Sequence, residues 1–474
     1  MTGIDQLGTY VPRYRIRAET IEDAWGQFAG RGISETAVPA ADEDSLTMAH
    51  EACSRTIDAS SISRSDLSAL FVATTTPPME EDPIPARLVS TLSLAEGLST
   101  RQFTGSTRAG VEALVTGLAL DEPALVVASD APRGEPDSAI EHAAGGAAVA
   151  LVLTPGASGT VEDHAAVTEP VPGIRFRSAG AGETTGLGIT SYDRAAYLEG
   201  IGAAVDSLDV DPAVVDALAC QAPDGTIPYR LTGRLDVDND QIQRGTVADR
   251  IGDVGTASPL LGLAAASEDG AKTTLLAGYG SGSATAVAIS GTIPVATGPE
   301  EGVVPAADNR VDLSYGEYLR MRGEITGGEP DGGGAYVSVP SWKRTIPQRH
   351  RFVAGRCEVC GSLAFPPGGA CGNCGTLDEY EKTELPGTGT VEATTVIGAG
   401  GAPPEFVEQQ ARSGSYTSAV VALDGPDGET VSIPTQVVPQ DEPVEIGDRV
   451  AATIRRIYTQ EGVIRYGFKM RPRR

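Results

Sequence analysis

Lysine and aromatic side chains are scarce in this chain, and both scarcities argue against the same class of function. Only four lysines occur, Lys272, Lys343, Lys382 and Lys469, among 36 basic residues set against 64 acidic ones. The formal net charge of −28 argues against a general nucleic-acid binder, because neutralising a phosphate backbone takes clustered Lys and Arg. Aromatics at 5% also leave few platforms on which unpaired bases could stack. No apolar run is long enough to span a bilayer and no secretory signal is seen, so the expected location is the cytoplasm, with no membrane partner. A heavily acidic, lysine-poor surface reads first as adaptation to high salt, and second as an acidic protein from a GC-rich mesophile. What is plentiful is apolar content, 41% of 474 residues, enough to fill two or three domain cores.

Cysteine is rare except in one place. Four of the six, Cys357, Cys360, Cys371 and Cys374, fall within RCEVCGSLAFPPGGACGNC. Two Cys-x2-Cys knuckles joined by ten residues can place four thiolates round one ion in a tetrahedron, the arrangement of structural zinc. Full coordination leaves no open position, so a zinc ion here is structural and not catalytic. Free thiols clustered by chance, or a pair of redox Cys-x-x-Cys motifs, are the plainer readings. Thiols reserved for a metal also suit a reducing compartment.

Residues 1–293 alternate short apolar runs with helix-like stretches. ALFVA (69–73), ALVVAS (124–129), AVALVL (148–153), DALAC (216–220) and TTLLAG (273–278) read as buried strands. Leu46, Ala49, Cys53 and Ile57 recur at helical spacing, which makes Cys53 a core residue. Alternation of strands and helices implies an α/β body. Residues 294–310 are Pro/Gly-rich and acidic and read as a linker. A helical lead-in with a flexible break, GGEPDGGG (327–334), spans 311–350, and the cysteine module spans 351–384. Residues 385–474 hold five short strand-like runs, with Asp424-Gly425 and Asp427-Gly428 as turn chemistry, which suits a small all-β barrel of the OB type. Arg455, Arg456, Arg465, Lys469, Arg471, Arg473 and Arg474 close the chain as a basic patch. It reads as a solvated end, or as a surface for phosphates or an acidic partner.

Several stretches carry a resemblance. GTYVPRYRI (8–16), DEDSLTMAHEA (42–52), EHAAGGAAVALVL (141–153), PLLGLAAA (259–266) and GYGSGS (278–283) are similar, in order, to archaeal-type 3-hydroxy-3-methylglutaryl-CoA (HMG-CoA) synthase, a thiolase-superfamily family. The resemblance implies two repeated halves in a five-layered α-β-α-β-α body, acyl-CoA as ligand or substrate, and pairing as a homodimer. The cysteine module with its barrel resembles the zinc-ribbon/OB acyl-CoA-associated domain usually encoded beside thiolases, which implies a thiolase partner.

The family's chemistry uses a cysteine at a helix N-terminus as nucleophile, a histidine, and a glutamate acid/base, with backbone N–H groups holding an oxyanion. Each side-chain position differs here. FTGSTRAG (103–110) places Thr107 where the cysteine belongs, and Thr107 reads as an N-cap. VATTTPP (72–78) puts Thr75 at the glutamate, with Glu80 and Glu81 five residues further on. QAPDGTIP (221–228) puts Gln221 at the histidine, and IGDVGTAS (251–258) puts Asp253 at an asparagine. None of His50, His142, His164 and His350 falls at a matching position. Gly278, Gly280 and Gly282 keep the loop expected to face an acyl carbonyl, or form only a tight turn. Cys220 is the one spare thiol nearby and reads as a buried structural residue. Three functions follow from these residues. The first is a non-catalytic acyl-CoA-binding or scaffolding subunit of a thiolase-type assembly. The second is an active condensing or cleaving transferase that uses Cys220, Asp253 or groups lent by a partner. The third is a nucleic-acid-binding ribbon/OB protein, which the charge opposes.

Overall fold

The structure is a computed structural model that describes residues 2–298, 302–306, 309–326, 336–377, 380–398, 400–440 and 442–473. The break at 327–334 lies outside the described residues. The chain divides into two compact units, Met1–Val89 with Leu94–Tyr318, and Ser90–Ser93 with Leu319–Arg474. Among the described residues no helix is long and apolar enough to cross a membrane.

The first unit is built on two sheets. One contains β1 (Thr2–Tyr10), β2 (Ala69–Ala73), β3 (Ser99–Phe103), β4 (Ala124–Asp130) and β5 (Ala147–Pro155), in the order β1-β5-β4-β2-β3. The other contains β6 (Thr160–Thr168), β7 (Ala217–Cys220), β8 (Thr273–Gly280) and β9 (Ser283–Ser290), in the order β6-β9-β8-β7. The pairing senses repeat. In each sheet two antiparallel pairs lead to one parallel pair, β1-β5-β4-β2 in the first and β6-β9-β8-β7 in the second.

Strand parity sets the layers. Phe71, Val126 and Leu151 of the first sheet and Leu276 and Val287 of the second share one core with α2 (Ala109–Leu118) and α4 (Ser258–Glu268). The alternate residues Leu275 and Ala277 face outward onto α3 (Thr190–Asp206), through Tyr197 and Ile201. On the far side of the first sheet lies α1 (Ser45–Ala59), whose start is fixed by Asp44 and Thr47 bonding each other's backbone N–H. Cys53 of α1 is fully buried, as its spacing implied. The result is five layers, α1, sheet, α2 with α4, sheet, α3. The near-continuous apolar runs of the strands follow from burial on both faces.

The body does not end at 293. Val295 and Ala296 pair parallel with Leu7 and Gly8, Val303 enters the core, and Val311–Asp312 pairs with Tyr14–Arg15. A two-residue strand between Pro and Gly is too short to register as periodicity, so the stretch reads as a linker in the sequence although part of it completes a sheet.

The second unit has a helical lead-in with α5 (Val339–Arg344) and α6 (Ile346–Arg351). A three-stranded sheet of Val353–Cys357, Leu363–Ala364 and Tyr380–Glu384 follows. The chain ends in a closed barrel of β10 (Thr388–Ile397), β11 (Tyr416–Asp424), β12 (Thr430–Val437), β13 (Arg449–Gln460) and β14 (Val463–Pro472), in the order β10-β11-β12-β14-β13. Val391, Val421, Ile433, Val450 and Met470 fill it. The basic end of the chain is not a solvated face. Arg455, Arg465 and Lys469 are 3%, 2% and 1% exposed. They sit at the opposite parity to Val450 and Met470, on the outside of the barrel, where Trp342 of the helical lead-in lies against Arg465. Trp342 of α5 packs edge-on to Tyr458 of β13, and the Cβ of Arg349 of α6 approaches Gly467 of β14.

Candidate functional site

The ends of β8 and β9 meet the start of α2. A Cβ on Gly278 would lie 2.8 Å from a methyl of Val111, and one on Gly280 would lie 2.1 Å from Ser106 Oγ. Glycine lets the hairpin approach the helix this closely. Gly282 has φ +92° and lies against the Glu169 carbonyl, and its N–H donates to the Tyr279 hydroxyl at 3.2 Å. Close packing accounts for all three glycines, and the Gly282 amide already has a protein partner.

Thr107 is buried at the mouth of α2, but not as an N-cap. Its hydroxyl donates across to the Tyr279 carbonyl at 2.6 Å, and α2 starts from Arg108 with no side-chain cap on that residue. The glycine-lined end of β8 brings a carbonyl acceptor within reach of the hydroxyl proton.

Thr75 lies just past β2 beside a residue that the sequence did not single out. Asp130, at the C-terminal end of β4, is fully buried. Its carboxylate accepts from the hydroxyls of Thr74, Thr75 and Thr76 and from the backbone N–H groups of Thr75, Thr76 and Thr256. The Thr75 hydroxyl lies 2.9 Å from it. A carboxylate closing an otherwise apolar strand run was the available signal.

Gln221 is 2% exposed and follows β7 directly. Its Nε2 donates to the Gly255 carbonyl at 2.9 Å, while its Oε1 is shielded from solvent with no hydrogen-bond partner. Asp253 accepts from Gly255 N at 2.9 Å, and its backbone is clamped between Ala143 and Gly145. Its charge is met by the guanidinium of Arg175, with which it forms a hydrogen-bonded ion pair. Arg177, two residues on, donates to the Thr75 carbonyl. The segment bearing both is pinned by the Phe176–Thr185 backbone pair and by Ser281 Oγ on the Arg175 carbonyl. Sequence reasoning missed both arginines, because the segment carries no periodicity.

Thr75, Gln221 and Asp253 therefore converge on the loop Gly252–Ser258 that leads into α4. Thr107 joins them through Tyr279 and through Gly110, whose missing Cβ would lie 2.2 Å from the Thr256 carbonyl. Cys220 points elsewhere. Its thiol lies 3.3 Å from the Tyr197 hydroxyl in the outer core, and burial pushes its pKa up to about 12. A thiol in that state supplies almost no thiolate near neutral pH. The histidines lie on α1 (His50), near the Phe28 ring (His142), on β6 (His164) and on α6 (His350).

The Arg175–Asp253 pair gives a direct test of how this site is held. Arg175→Ala leaves a buried carboxylate without its cation, and the expected cost is about 3 kcal/mol. Arg175→Ala with Asp253→Ala together should cost less than the two single changes summed, read from urea transitions of all four proteins.

In the second unit the four cysteine sulfurs lie within 4.8 Å of one another. Cys357 and Cys374 Sγ are 3.7 Å apart and Cys360 and Cys371 Sγ 3.6 Å, close to the ~3.8 Å edge of a tetrahedron with zinc–sulfur bonds of ~2.3 Å. The two knuckles are built alike. Gly361 N donates to the Cys357 carbonyl and Gly375 N to the Cys371 carbonyl, each at 2.8 Å, and both glycines have φ +74°. The cluster has the donor set and spacing to hold a metal ion.

No family model matches the chain. Curated relatives do. HMG-CoA synthase of Pyrobaculum calidifontis is 28% identical over 341 residues, covering 68% of this chain and 97% of the relative. That of Methanopyrus kandleri is 27% identical over 344 residues, covering 68% and 97%. Among solved structures, an HMG-CoA synthase complexed with CoA superposes with a TM-score of 0.59 at 16% identity, over 71% of this chain and 94% of that one. MvaS in complex with 3-hydroxy-3-methylglutaryl coenzyme A gives 0.58 at 22% identity, over 70% and 94%. The layers and the repeated sheets thus define a thiolase-like fold. It is the fold of the solved HMG-CoA synthases, and archaeal HMG-CoA synthases are among the chain's sequence relatives.

Proposed function

We propose that this protein binds acyl-CoA in a thiolase-type pocket without catalysing condensation, and that its C-terminal unit serves a thiolase-type assembly. The observation that carries this reading is the state of the reactive positions. Thr107, Thr75 and Gln221 replace thiol, carboxylate and imidazole, and each spends a polar group on a structural hydrogen bond, to Tyr279, Asp130 and Gly255. A hydroxyl without a strong neighbouring base is a poor nucleophile, and a primary amide does not titrate near neutral pH. Similarity to HMG-CoA synthases, with one solved relative holding CoA, supports an acyl-CoA ligand.

The C-terminal unit is a zinc ribbon followed by an OB-type barrel, with structural Zn2+ on Cys357, Cys360, Cys371 and Cys374. The bodies pair as a homodimer through β3, the edge strand whose Ser99, Thr100 and Arg101 are exposed, since an exposed edge is a template for a second strand. A thiolase partner and a cytoplasmic location complete the reading.

The test uses the full chain. Calorimetric titration with acetyl-CoA should give saturable binding. Incubation with acetyl-CoA plus acetoacetyl-CoA should release no CoA above background and leave no acyl adduct by mass spectrometry. CoA release at a synthase-like rate, or an adduct lost in Cys220→Ala, would replace this reading with that of an active transferase.

A further inference from the structure

We propose that Arg349, Arg465 and Tyr458 form a binding site for a phosphate-type oxyanion in the C-terminal unit. The inference does not rest on the acyl-CoA reading. It starts from charge. In a chain of net charge −28, the stretch KRTIPQRHR (343–351) holds four Lys/Arg and no acid, and it packs on the strand that carries Arg465 and Lys469. Two cationic stretches more than a hundred residues apart in sequence thus meet on one outer face of the barrel.

They meet on a single indole. The Arg349 guanidinium lies 3.8 Å from the centroid of the Trp342 ring and that of Arg465 lies 5.2 Å from it. Tyr458 stands edge-on to the same ring at 5.8 Å. Arg349 gives its Nε to Thr345 Oγ1 at 2.9 Å. Arg465 is 98% buried, and its Nε and Nη2 are shielded from solvent without a hydrogen-bond partner. Among the described residues, neither guanidinium has a carboxylate within ion-pairing distance. Burial lowers the pKa of Arg349, the Tyr458 hydroxyl acts against that and the Arg465 charge adds to it, with no acidic side chain contributing. Glu405 is the carboxylate felt at Tyr458, whose hydroxyl is pushed up by burial and pulled back by both arginines.

Ring contacts partly offset two like charges held together in a dry place, but they supply no counter-charge. An oxyanion does, and the planar guanidinium fork matches phosphate oxygens. Arg349 is half-buried, which leaves the site an approach from solvent. A nucleic-acid ligand fits less well, because Trp342 is 6% exposed and has no free face for a base.

Trp342 is also the reporter. The only other tryptophan is Trp25, so a Trp25→Phe background isolates its emission. Inorganic phosphate, added at ionic strength held constant with sodium chloride, should change that emission saturably. Arg349→Gln should weaken the apparent affinity at least tenfold, with far-UV dichroism unchanged. Arg465→Gln should do the same, and Arg349→Gln decides the matter if that buried change unfolds the unit. AMP binding more tightly than phosphate would identify a nucleotide-borne phosphate, and equal binding would identify the free ion; both support the site. The proposal is overturned by the absence of a saturable response, by a response that Arg349→Gln leaves unchanged, or by a response to a single-stranded oligonucleotide alone.

Discussion

With zinc on the four cysteines as proposed, chelation is expected to unfold the segment between Val353 and Glu384. The purified chain should carry one zinc ion, lost in Cys371→Ser. Besides the ion pairs of Arg356 with Asp427 and Glu429, little else holds this segment. Its three strands are of five, two and five residues, and only a few of its side chains, Ala354, Leu363 and Phe365 among them, pack into the apolar cluster of the barrel. Structural zinc in small modules contributes on the order of 10 kcal/mol of apparent folding free energy at neutral pH. Limited proteolysis after chelation should therefore cut first in 358–376, with the barrel strands surviving longer. A metal-free preparation whose ribbon resists protease as well as the loaded form would show that the cysteines are ordinary thiols.

The second large effect concerns Asp130. Replacing it with alanine removes the common acceptor of six hydrogen bonds at the end of β2 and the start of α4. The Thr76 N–H and hydroxyl keep Thr74 Oγ1 and Ser45 Oγ as neighbours, and the other four donors lose the partner described for them. A buried donor without a partner costs about 1–3 kcal/mol, so even with partial rehydration the loss should exceed ~4 kcal/mol. Asp130→Asn keeps the shape but turns an NH2 group toward a ring of donors, and about 2 kcal/mol is expected. Urea midpoints of the two variants should fall in that order. A midpoint for Asp130→Ala within ~1 kcal/mol of the parent would mean that the Thr74–Thr76 turn is held by something else.

Much of this architecture is legible in the sequence because burial on both faces writes itself as unbroken apolar runs. ALFVA at 69–73 coincides with a strand, and the α1 stripe through Cys53 lies where its spacing puts it. The four cysteines come together as their spacing implies. Other features leave no local trace. Arg175 and Arg177 act from a segment outside the helices and strands, where reach across space and not periodicity brings them to Asp253 and Thr75. The burial of Arg455 and Arg465 follows from what covers the outside of the barrel, and a register shift between Arg456 and Tyr458 re-aims the side chains of β13. Thr107 looks like a cap in sequence, because only the folded chain reveals a carbonyl waiting opposite it.

The twofold repetition of the sheets has an electrostatic corollary. The helices α2 and α4 begin close together, where Gly110 in the first turn of α2 meets the carbonyl of Thr256 just ahead of α4. Each such terminus carries roughly half a positive charge from its aligned peptide dipoles. That field belongs to the backbone. It persists whichever side chains occupy positions 75, 107 and 221, and at the start of α4 the buried Asp130 carboxylate meets it through the Thr256 N–H.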